Sequence, residues 1–338
     1  MERRLRWGIL GTGNIARQFA AGVGASARGR VTAVGSRDRA SAEAFARKFE
    51  PAATVGGYDD VVSSPDVDAV YVSLPNNLHH EWTIRALRAG KHVLCEKPFA
   101  VNEAQAREMF DAATRAGRVA VEAFMYRSHP QTRAVLDAIR GGAVGPLRLI
   151  RTSFCFHTSK VDGNIRFQPA LAGGGIMDVG CYCVNFARLV AGAEPLAVHA
   201  VARLHPSGVD DLAAGTLTFP GGVVASFTCG MSAQADNAAH VCGTNGYVEV
   251  PVPWKPAVEG SRFSVVRQTP PLMDGVARPS APPRRVVEVP GGRNLYAYEA
   301  DDFAAAARDG RAPAVSAADT IGNMRVLDEL RRQAGLAY

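Results

Sequence analysis

A glycine-rich turn near the N-terminus constrains the fold more than any other part of the sequence. The apolar run Leu5–Leu10 (LRWGIL) is followed directly by GTGNIARQFAAGV, and residues 11–16 fit the pattern G-x-G-x-x-G/A. In dinucleotide-binding folds this pattern joins a strand to a helix: the first glycine permits a tight turn, and the second lets the backbone approach a pyrophosphate at the helix N-terminus. The alternative is a glycine turn packed against its own sheet, so the surrounding elements must decide.

Strand-like and helix-like segments alternate over the first third of the chain. Short apolar runs at Leu5–Leu10, Arg30–Gly35, Ala69–Leu74, His92–Cys95 and Arg118–Glu122 are separated by longer stretches with helical periodicity, such as NEAQAREMFDAATRAG. This alternation is typical of a parallel, doubly wound sheet. We therefore predict an α/β Rossmann domain over residues 1–122, in which the glycine turn binds a dinucleotide.

The pattern changes from about residue 123. Segments such as PLRLIRTSFCF, AAGTLTFPGGVVASFTCGM and HVCGTNGYVEVP resemble strands joined by Gly/Pro turns. Because 338 residues suit two domains of about 150 residues each, we predict an α+β substrate-binding and oligomerisation domain over residues 123–338. It is built on a large, mainly antiparallel sheet, and its C-terminal helix is a candidate to pack back on the first domain.

Two expectations concern the surface of this second domain. The outer face of its sheet is expected to be rich in Val, Thr and Phe and to pair with a second subunit; the alternative is coverage by the domain's own helices. The proline-rich residues 270–285 are predicted to form an exposed loop.

Charge and composition exclude several functional classes. The net charge of +6 and pI near 9.1 come from scattered arginines without a continuous basic face, so we expect no nucleic-acid partner. No apolar run approaches the roughly 20 residues of a membrane span, and Trp7–Leu10 is too short for the hydrophobic part of an export signal, about 7 to 15 residues. We therefore expect a cytoplasmic protein without a membrane partner.

The six cysteines show no Cys-x-x-Cys spacing, and most lie in apolar surroundings. We expect them to be reduced, structural thiols. The pair Cys181-x-Cys183 lacks a His or Cys partner motif, so no metal site is predicted.

The segment after the second predicted strand bears on the choice of cofactor. NAD-binding folds usually place an acidic residue about 20 positions after the glycines, where it binds the ribose hydroxyls. Here AVGSRDRA offers Ser36 and Arg37 instead, and a hydroxyl with a guanidinium suits the 2′-phosphate of NADP(H). Asp38 is near enough to keep NAD(H) possible, and the alternative for Arg37 is a solvated loop charge.

Two further segments carry ionisable residues in positions that favour chemistry. Glu96-Lys97-Pro98 follows the apolar run HVLC; the proline ends the strand, so Lys97 is expected at the sheet edge where such folds bind ligands. In LAGGGIMDVGCYCVNFARLVAG, three glycines precede a predicted helix on which Asp178 and Tyr182, four residues apart, share one face. They could form an acid/base pair at a cleft, or serve only the helix dipole and the core.

Five segments together resemble the Gfo/Idh/MocA oxidoreductase family: GILGTGNIAR, SLPNNLHHEWTIRAL, GKHVLCEKP, EAFMYRSHPQ and GGGIMDVGCYCVNFARLV. They keep their order over nearly the whole chain, and Glu-Lys-Pro after a strand combined with G-G-G-x-x-D-x-G-x-Y is specific. Many members carry His where this chain has Tyr182. The tyrosine resembles the branch that contains glucose–fructose oxidoreductase, D-xylose dehydrogenase and dimeric dihydrodiol dehydrogenase.

The resemblance implies chemical roles for individual residues. It puts Lys97 at the nicotinamide, where its ammonium would hydrogen-bond the reacting hydroxyl and lower the pKa of the Tyr182 phenol, the proton acceptor in oxidation or donor in reduction. Asp178 would orient the hydroxyl. From motif and resemblance together, the residues predicted to bind the cofactor are Gly11, Thr12, Gly13, Asn14, Ile15, Ser36, Arg37, Leu74, Pro75, Asn77, His79, Glu96 and Lys97. Weaker candidates for contacts to a polyol, each with an alternative structural role, are Arg127, Arg166, Asn185 and Tyr296.

The leading hypothesis is an NADP(H)-dependent oxidoreductase that transfers hydride to or from a sugar or polyol carbon, as an aldose 1-dehydrogenase or a keto-sugar reductase, within a homodimer or homotetramer. One alternative is a glycosidase of the same fold that uses tightly held NAD for transient oxidation; another is a dihydrodiol dehydrogenase. A non-catalytic cofactor sensor is a further class. Lys97, Asp178 and Tyr182 argue against a sensor, because it has no use for an acid/base pair.

Overall fold

The computed structural model describes residues 4–267 and 283–336, and its first sheet consists of six parallel strands. These are β1 (Leu5–Leu10), β2 (Gly29–Gly35), β3 (Thr54–Gly56), β4 (Ala69–Val72), β5 (His92–Glu96) and β6 (Ala120–Ala123). Their order is β3-β2-β1-β4-β5-β6, so the direction of winding reverses between β1 and β4. The predicted doubly wound sheet is confirmed, and folds of this kind bind ligands at such a reversal, outside the carboxyl ends of the strands.

Five helices connect these strands: α1 (Asn14–Gly24), α2 (Arg39–Phe49), α3 (Tyr58–Ser63), α4 (His79–Arg88) and α5 (Glu103–Ala116). The turn from β1 into α1 requires glycine. Gly11 has a φ of +101°, and a Cβ at this position would lie 2.8 Å from the carbonyl oxygen of Ser73. A larger residue would be strained and would also push the segment after β4 away, so Gly11 sets the close approach of these two strand ends.

The second sheet has eight strands and is mainly antiparallel, as predicted. Its strands are β7 (Leu147–Cys155), β8 (Ala197–Leu204), β9 (Asp210–Phe219), β10 (Val223–Gly230), β11 (Ala239–Gly243), β12 (Gly246–Val250), β13 (Arg262–Arg267) and β14 (Arg284–Glu288). The order is β14-β13-β12-β11-β7-β10-β9-β8, with β7 and β10 parallel. Helix α6 (Pro130–Arg140) precedes the sheet. Most of the predicted proline-rich loop at 270–285 lies outside the described residues.

The two faces of this sheet differ from the prediction. On β9 and β10 the side chains of Leu217, Phe219 and Phe227 are buried, whereas Thr216 and Val224 are exposed. The buried face packs against a helix, α7 (Cys181–Ala191), which contacts β7 and β10. The expectation of phenylalanine on the outer face is therefore wrong. Alternation along a strand separates its two faces, but it does not say which face meets a helix.

Two C-terminal helices, α8 (Leu295–Asp309) and α9 (Ala317–Gln333), pack on helices and strands of the first domain. On α8, Phe303 lies against Trp7 of β1, with ring centroids 5.0 Å apart. On α9, Arg325 forms an ion pair with Glu103 of α5 at 3.1 Å. These contacts cross the predicted boundary after residue 122, and the boundary itself stays a prediction.

One described segment, Pro169–Ala191, is long and apolar enough to cross a membrane if only length and composition are considered. However, 83% of its apolar 18-residue stretch is buried within the protein. The segment ends in α7, whose side chains pack against the second sheet. Its apolar character is accounted for by its position in the core.

Candidate active site

A cleft of about 370 Å³ lies at the carboxyl ends of β1, β4 and β5. Residues of both predicted domains line it. The first domain contributes Asn14, Ile15, Gln18, Leu74, Asn76, His79, Glu96 and Lys97. The second contributes Met125, Phe154, Phe156, Ile165, Arg166, Asp178, Val179, Tyr182 and Lys255. The cleft therefore brings together the Glu-Lys-Pro segment, the glycine turn and the helix with Asp178 and Tyr182, although they are far apart in sequence.

Asp178 binds two cations at once. The Lys97 ammonium donates to its Oδ1 at 3.1 Å and to its backbone carbonyl at 2.7 Å, and Arg166 Nε donates to Oδ2 at 2.6 Å. Burial opposes ionisation of Asp178, but Lys97 and Arg166 outweigh it and hold its pKa below the usual value. Burial likewise disfavours the Lys97 charge, yet Asp178 outweighs it and raises the Lys97 pKa. Both residues are charged, and the ammonium is held in a fixed position.

A glycine run and an unusual helical turn position Asp178. Gly174 has a φ of +106°, and the chain then enters a π-helical turn, Ile176–Gly180, that continues into α7. Asp210 of β9 anchors this turn, because its Oδ2 accepts a hydrogen bond from the Ile176 N–H at 2.7 Å. Single π-turns within helices frequently occur at functional sites. Asp178 lies inside the π-turn, and both it and Tyr182 line the cleft.

Tyr182 is buried among aromatic rings, and its hydroxyl faces Met125, with 3.3 Å between the phenolic oxygen and the sulfur. The Lys97 ammonium lies 5.3 Å from the centre of its ring. Burial, with nearby Glu96, raises the Tyr182 pKa well above its ordinary value. This contradicts the expectation that Lys97 lowers that pKa. The Lys97 charge is engaged by Asp178, and desolvation of the phenol outweighs it.

Glu96 lies at the end of β5, beside the cleft. Its carboxyl group accepts a hydrogen bond from the Tyr71 hydroxyl on β4 and one from the Lys97 backbone N–H at 3.3 Å. Burial raises the Glu96 pKa, although Lys97 and the Tyr71 hydroxyl favour the charged form. Glu96 thus fixes the backbone at Lys97, and it lines the cleft where cofactor binding was predicted.

His79 joins the two segments that flank the cleft on the first domain. Its Nδ1 lies 2.8 Å from the carbonyl oxygen of Pro98 and its Nε2 2.8 Å from that of Leu74. The imidazole is fully buried, and burial lowers its pKa. His79 and Leu74 line the cleft; Pro75 is half-buried beside them, and Asn77 is exposed.

The N-terminus of α1 fits a pyrophosphate. The helix begins after Gly13 without a side-chain cap and without an acidic residue in its first turn. Gly13 is exposed, and a Cβ on it would meet no atom within 4 Å, so its backbone borders open space. Uncapped N–H groups and the helix dipole favour a negative ligand here. Asn14 and Ile15 line the cleft from this turn, and Thr12 is half-buried within it.

The end of β2 fits a 2′-phosphate better than two free ribose hydroxyls. The Asp38 carboxylate caps α2, accepting hydrogen bonds from Ala40 N at 3.2 Å and from Ser41 N at 3.1 Å. The Ser41 hydroxyl also donates to Oδ2 at 2.5 Å, and this hydrogen bond, together with the two from the backbone, lowers the pKa of Asp38. Arg37 is exposed and has no ion pair among residues 4–267 and 283–336. Ser36 and Arg37 thus leave a hydroxyl and a cation for the cofactor, while the carboxylate is engaged.

The four weaker candidates fall into two groups. Arg166 lines the cleft beside Asp178. Tyr296 lines an adjoining cavity and donates to Gln18 Oε1 at 3.2 Å. The structure does not bring Arg127 and Asn185 to the cleft: Asn185 is fully buried and accepts from Arg127 at 3.0 Å, and Arg127 also pairs with Asp319 at 2.6 Å. These two residues link α7 to α9 away from the lining of the cleft, which favours the structural alternative for both.

The aromatic wall of the cleft was not predicted from the sequence. Phe154 of β7 stacks on Trp254 with centroids 5.7 Å apart and meets the Tyr182 ring edge-on at 5.3 Å. Met125, Phe156 and Lys255 also line the cleft without having been singled out. They come from strand ends and loops without a local motif. Within the described residues no group of three or more His, Cys, Asp or Glu could hold a metal ion.

Comparisons with known proteins agree with this geometry. Residues 5–124 match the description "Oxidoreductase family, NAD-binding Rossmann fold", and residues 132–249 match the "GFO/IDH/MocA C-terminal domain". The chain is 34% identical to the trans-1,2-dihydrobenzene-1,2-diol dehydrogenase of Mus musculus over 99% of its own length and 98% of the relative.

Two solved structures are similar over 98% of both chains. One is a 3-ketoreductase from Actinomadura kijaniata in complex with NADP and TDP-benzene, with 31% identity and a TM-score of 0.87. The other is an aldose-aldose oxidoreductase from Caulobacter crescentus complexed with glycerol, with 30% identity and a TM-score of 0.86.

Proposed function

Because the chain belongs to the Gfo/Idh/MocA family of oxidoreductases, we propose that it transfers hydride between NADP(H) and a ring or chain carbon of a sugar, as a keto-sugar reductase or an aldose 1-dehydrogenase. The observation that carries this proposal is the Lys97–Asp178 ion pair beside the Tyr182 phenol. All three groups line one cleft at the sheet edge where a nicotinamide is expected. Such a group of residues can stabilise charge on an oxygen and supply a proton to it.

The chain's own residues would hold the cofactor at both ends. The N–H groups after Gly13 suit the pyrophosphate, and Ser36 with Arg37 suits the 2′-phosphate. When bound, NADP(H) would supply the hydride chemistry itself. His79, which joins the Leu74 and Pro98 carbonyls, would keep the floor of the cleft rigid.

The proton is the part that the protein controls directly. An ordinary phenol is protonated at neutral pH, and burial raises the pKa of Tyr182 further, so Tyr182 can donate a proton during reduction of a carbonyl. The Lys97 ammonium would stabilise negative charge on the same oxygen as it develops, and Asp178 would hold the ammonium in place.

The decisive experiment tests two single variants, Lys97→Ala and Tyr182→Phe. Both variants should bind NADPH nearly as well as the wild type, yet reduce keto sugars on the order of 10² to 10⁴ times more slowly, as expected for loss of a proton-transfer group. Nicotinamide absorbance measures the rate. Outside the cleft, Lys48→Ala is the matched control for Lys97→Ala, and Tyr58→Phe is the matched control for Tyr182→Phe. Near wild-type turnover in both cleft variants would remove the catalytic assignment.

A dihydrodiol dehydrogenase is the second candidate, and the aromatic wall favours it. Phe154 and Phe156 line the cleft and Trp254 stacks behind Phe154, which suits a flat apolar ring as well as a pyranose. A panel of aldoses, keto sugars and trans-dihydrobenzenediol, each with NADP(H) and NAD(H), separates the two candidates by kcat/KM. The same panel tests the cofactor: Arg37→Ala should weaken NADP(H) selectively, and equal losses for both cofactors would contradict the assignment of the 2′-phosphate site.

The proposal includes a homodimer or homotetramer in the cytoplasm. On the outer face of the second sheet a shallow cavity of about 580 Å³ is lined by Arg151, His199, Val201 and Thr216, among others. On the same face, Val201 of β8 is 73% exposed and Val224 of β10 is 39% exposed. Exposed apolar residues on an open sheet face are typical of an interaction surface, here for a second copy of the chain. Light scattering that gives a 35.8 kDa particle at all concentrations would contradict this part of the proposal.

A further inference from the structure

A second cavity of about 350 Å³ adjoins the cleft. Gln18 and Lys255 line both spaces, so the two cavities meet at these side chains. The second cavity is bounded by α1 on one side and by the start of α8 on the other, with Arg17 and Tyr296 in its walls. A ligand that reacts in the cleft can therefore extend past Lys255 into this space.

The described lining of the second cavity is cationic. It contains Arg17 and Lys255 and no Asp or Glu. Within residues 4–267 and 283–336 neither cation has an ion pair, whereas Lys97 and Arg166 in the cleft share Asp178. The remaining polar groups are the Gln18 amide, the Asn294 amide and the Tyr296 hydroxyl. This chemistry fits a ligand that carries negative charge and accepts hydrogen bonds.

The position of the cavity separates it from the expected track of the cofactor. The pyrophosphate is expected at the first N–H groups of α1, next to Gly13. Arg17, Gln18 and Ala21 lie up to two turns further along the helix. At about 1.5 Å per residue, Arg17 is roughly 4.5 Å and Ala21 roughly 10 Å beyond Asn14 along the axis, so the cavity begins one turn past the pyrophosphate position and extends away from it. The 2′-phosphate is assigned to Arg37, which does not line this space.

We infer that the second cavity is a subsite for an anionic substituent, a carboxylate or a phosphate, on the sugar that reacts in the cleft, with Lys255 and Arg17 as its binding cations. The inference rests on the proposed function, and it narrows the substrate class from neutral sugars to acidic or phosphorylated ones. Lys255 is the specificity determinant, because it stands where the two cavities meet.

The local electrostatics support this assignment. Although much of Lys255 is accessible, its ammonium is partly desolvated, and this, together with Lys97, lowers its pKa, with Glu96 and Asp178 acting in the opposite direction. An anion beside Lys255 would relieve the repulsion among these cations. A neutral sugar would leave it in place.

The test compares D-glucose, D-glucuronate and D-glucose 6-phosphate by isothermal titration calorimetry on the NADP-loaded protein, which requires no turnover. We expect the anionic sugars to bind about tenfold or more tightly than glucose, as for a charge-assisted contact. Inorganic phosphate should compete with them. In Lys255→Gln and in Arg17→Gln the affinity for the anionic sugars should fall about tenfold more than the affinity for glucose. In the wild type, the tighter binding of the anionic sugars relative to glucose should weaken as salt is added. Lys48→Gln, an exposed lysine of α2 outside both cavities, is the control.

Two outcomes would overturn the inference, and a third would count against the proposed reaction instead. Equal affinities for glucose and its anionic counterparts in the wild type would exclude the subsite. Loss of NADPH affinity in Lys255→Gln, with the preference for anionic sugars intact, would assign the cation to the cofactor. The absence of any nicotinamide absorbance change with every sugar would refute the proposed reaction, and the calorimetry would still decide whether the cavity binds an anion.

Discussion

Asp178 is the residue at which the charges of the cleft meet. Its two carboxylate oxygens bind different cations, Lys97 and Arg166, and its backbone carbonyl also accepts from Lys97. The side chains of Lys97 and Asp178 are each 14% exposed, so water screens this pair only weakly. Removal of one partner from such a buried group leaves the others uncompensated. The position and the charge of the ammonium therefore both depend on one carboxylate.

Asp178→Asn should change the pH dependence of the reaction. Asp178 raises the Lys97 pKa, so in the variant burial and the repulsion from Arg166 remain and the Lys97 pKa falls. The alkaline limb of kcat/KM should move to lower pH by about one unit or more, the usual effect of losing an adjacent opposite charge. The pH–rate profile of the variant measures this shift. An unchanged profile at reduced rate would mean that Lys97 does not titrate in the reaction.

The sequence predicted the catalytic candidates better than the walls of their site. Lys97 follows a strand, and Asp178 and Tyr182 share a helical spacing, so each lies in a local pattern with a physical meaning. Phe154, Phe156 and Lys255 reach the cleft only through the pairing and loops of the second sheet. Tyr182 illustrates another limit, because its pKa depends on burial by rings from other elements. A sequence motif does not contain that information.

At the scale of elements, the segment that leads into α7 has no room for a side chain at Gly173. Gly173 leaves room for the backbone of the preceding loop: a Cβ there would lie 2.4 Å from the carbonyl oxygen of Arg166. The next turns carry Asp178 and then Tyr182, and Asp210 anchors them from β9. The glycines were predicted to precede a helix. The π-turn was not predicted, because no residue pattern distinguishes backbone hydrogen bonds between residues five apart from those between residues four apart.

Gly173→Ala should lower activity and stability together. The added methyl group must displace the Arg166 segment, which weakens the ion pair to Asp178 and costs about 1–3 kcal/mol in the free energy of unfolding, as overpacking usually does. Gly24→Ala at the end of α1, where a Cβ would meet no atom within 4 Å, is the matched control and should be neutral or slightly stabilising. Urea denaturation and substrate KM measure the two effects. Equal behaviour of the two variants would show that the close approach has no consequence.

At the scale of the whole molecule, α8 and α9 pack on the first domain although they follow the second sheet in sequence, and α9 also contacts β8. The Ser26 hydroxyl binds Asp301 of α8 at 2.5 Å, and Glu103 N of α5 donates to Asp328 of α9 at 2.8 Å. Phe303 is buried against Trp7 at the centre of the first core. The first core is therefore completed by residues that follow the second sheet in sequence. For this reason the parallel sheet was predictable from its alternating pattern, whereas the packing that closes it was not.

Phe303→Ala should destabilise both sheets at once. Removal of a buried phenylalanine typically costs about 3–5 kcal/mol in the free energy of unfolding. Because α8 belongs to the first core and follows the second sheet, we expect one common denaturation transition shifted to lower urea. Far-UV circular dichroism, together with the fluorescence of the three native tryptophans, of which Trp7 and Trp82 lie in the first domain and Trp254 in the second, measures it. Separate transitions for the two signals would show that the sheets unfold independently.

The packing of α8 on β1 and α1 also has a consequence for synthesis. A chain emerging from the ribosome folds from its N-terminal end, domain by domain. Here the dinucleotide-binding sheet is translated first, yet the surface around Trp7 and Phe19 stays uncovered until Phe303 has been made. During that interval apolar surface is exposed to chaperones and to neighbouring nascent chains. We therefore expect the yield of folded protein to depend on how soon α8 follows the first sheet out of the ribosome.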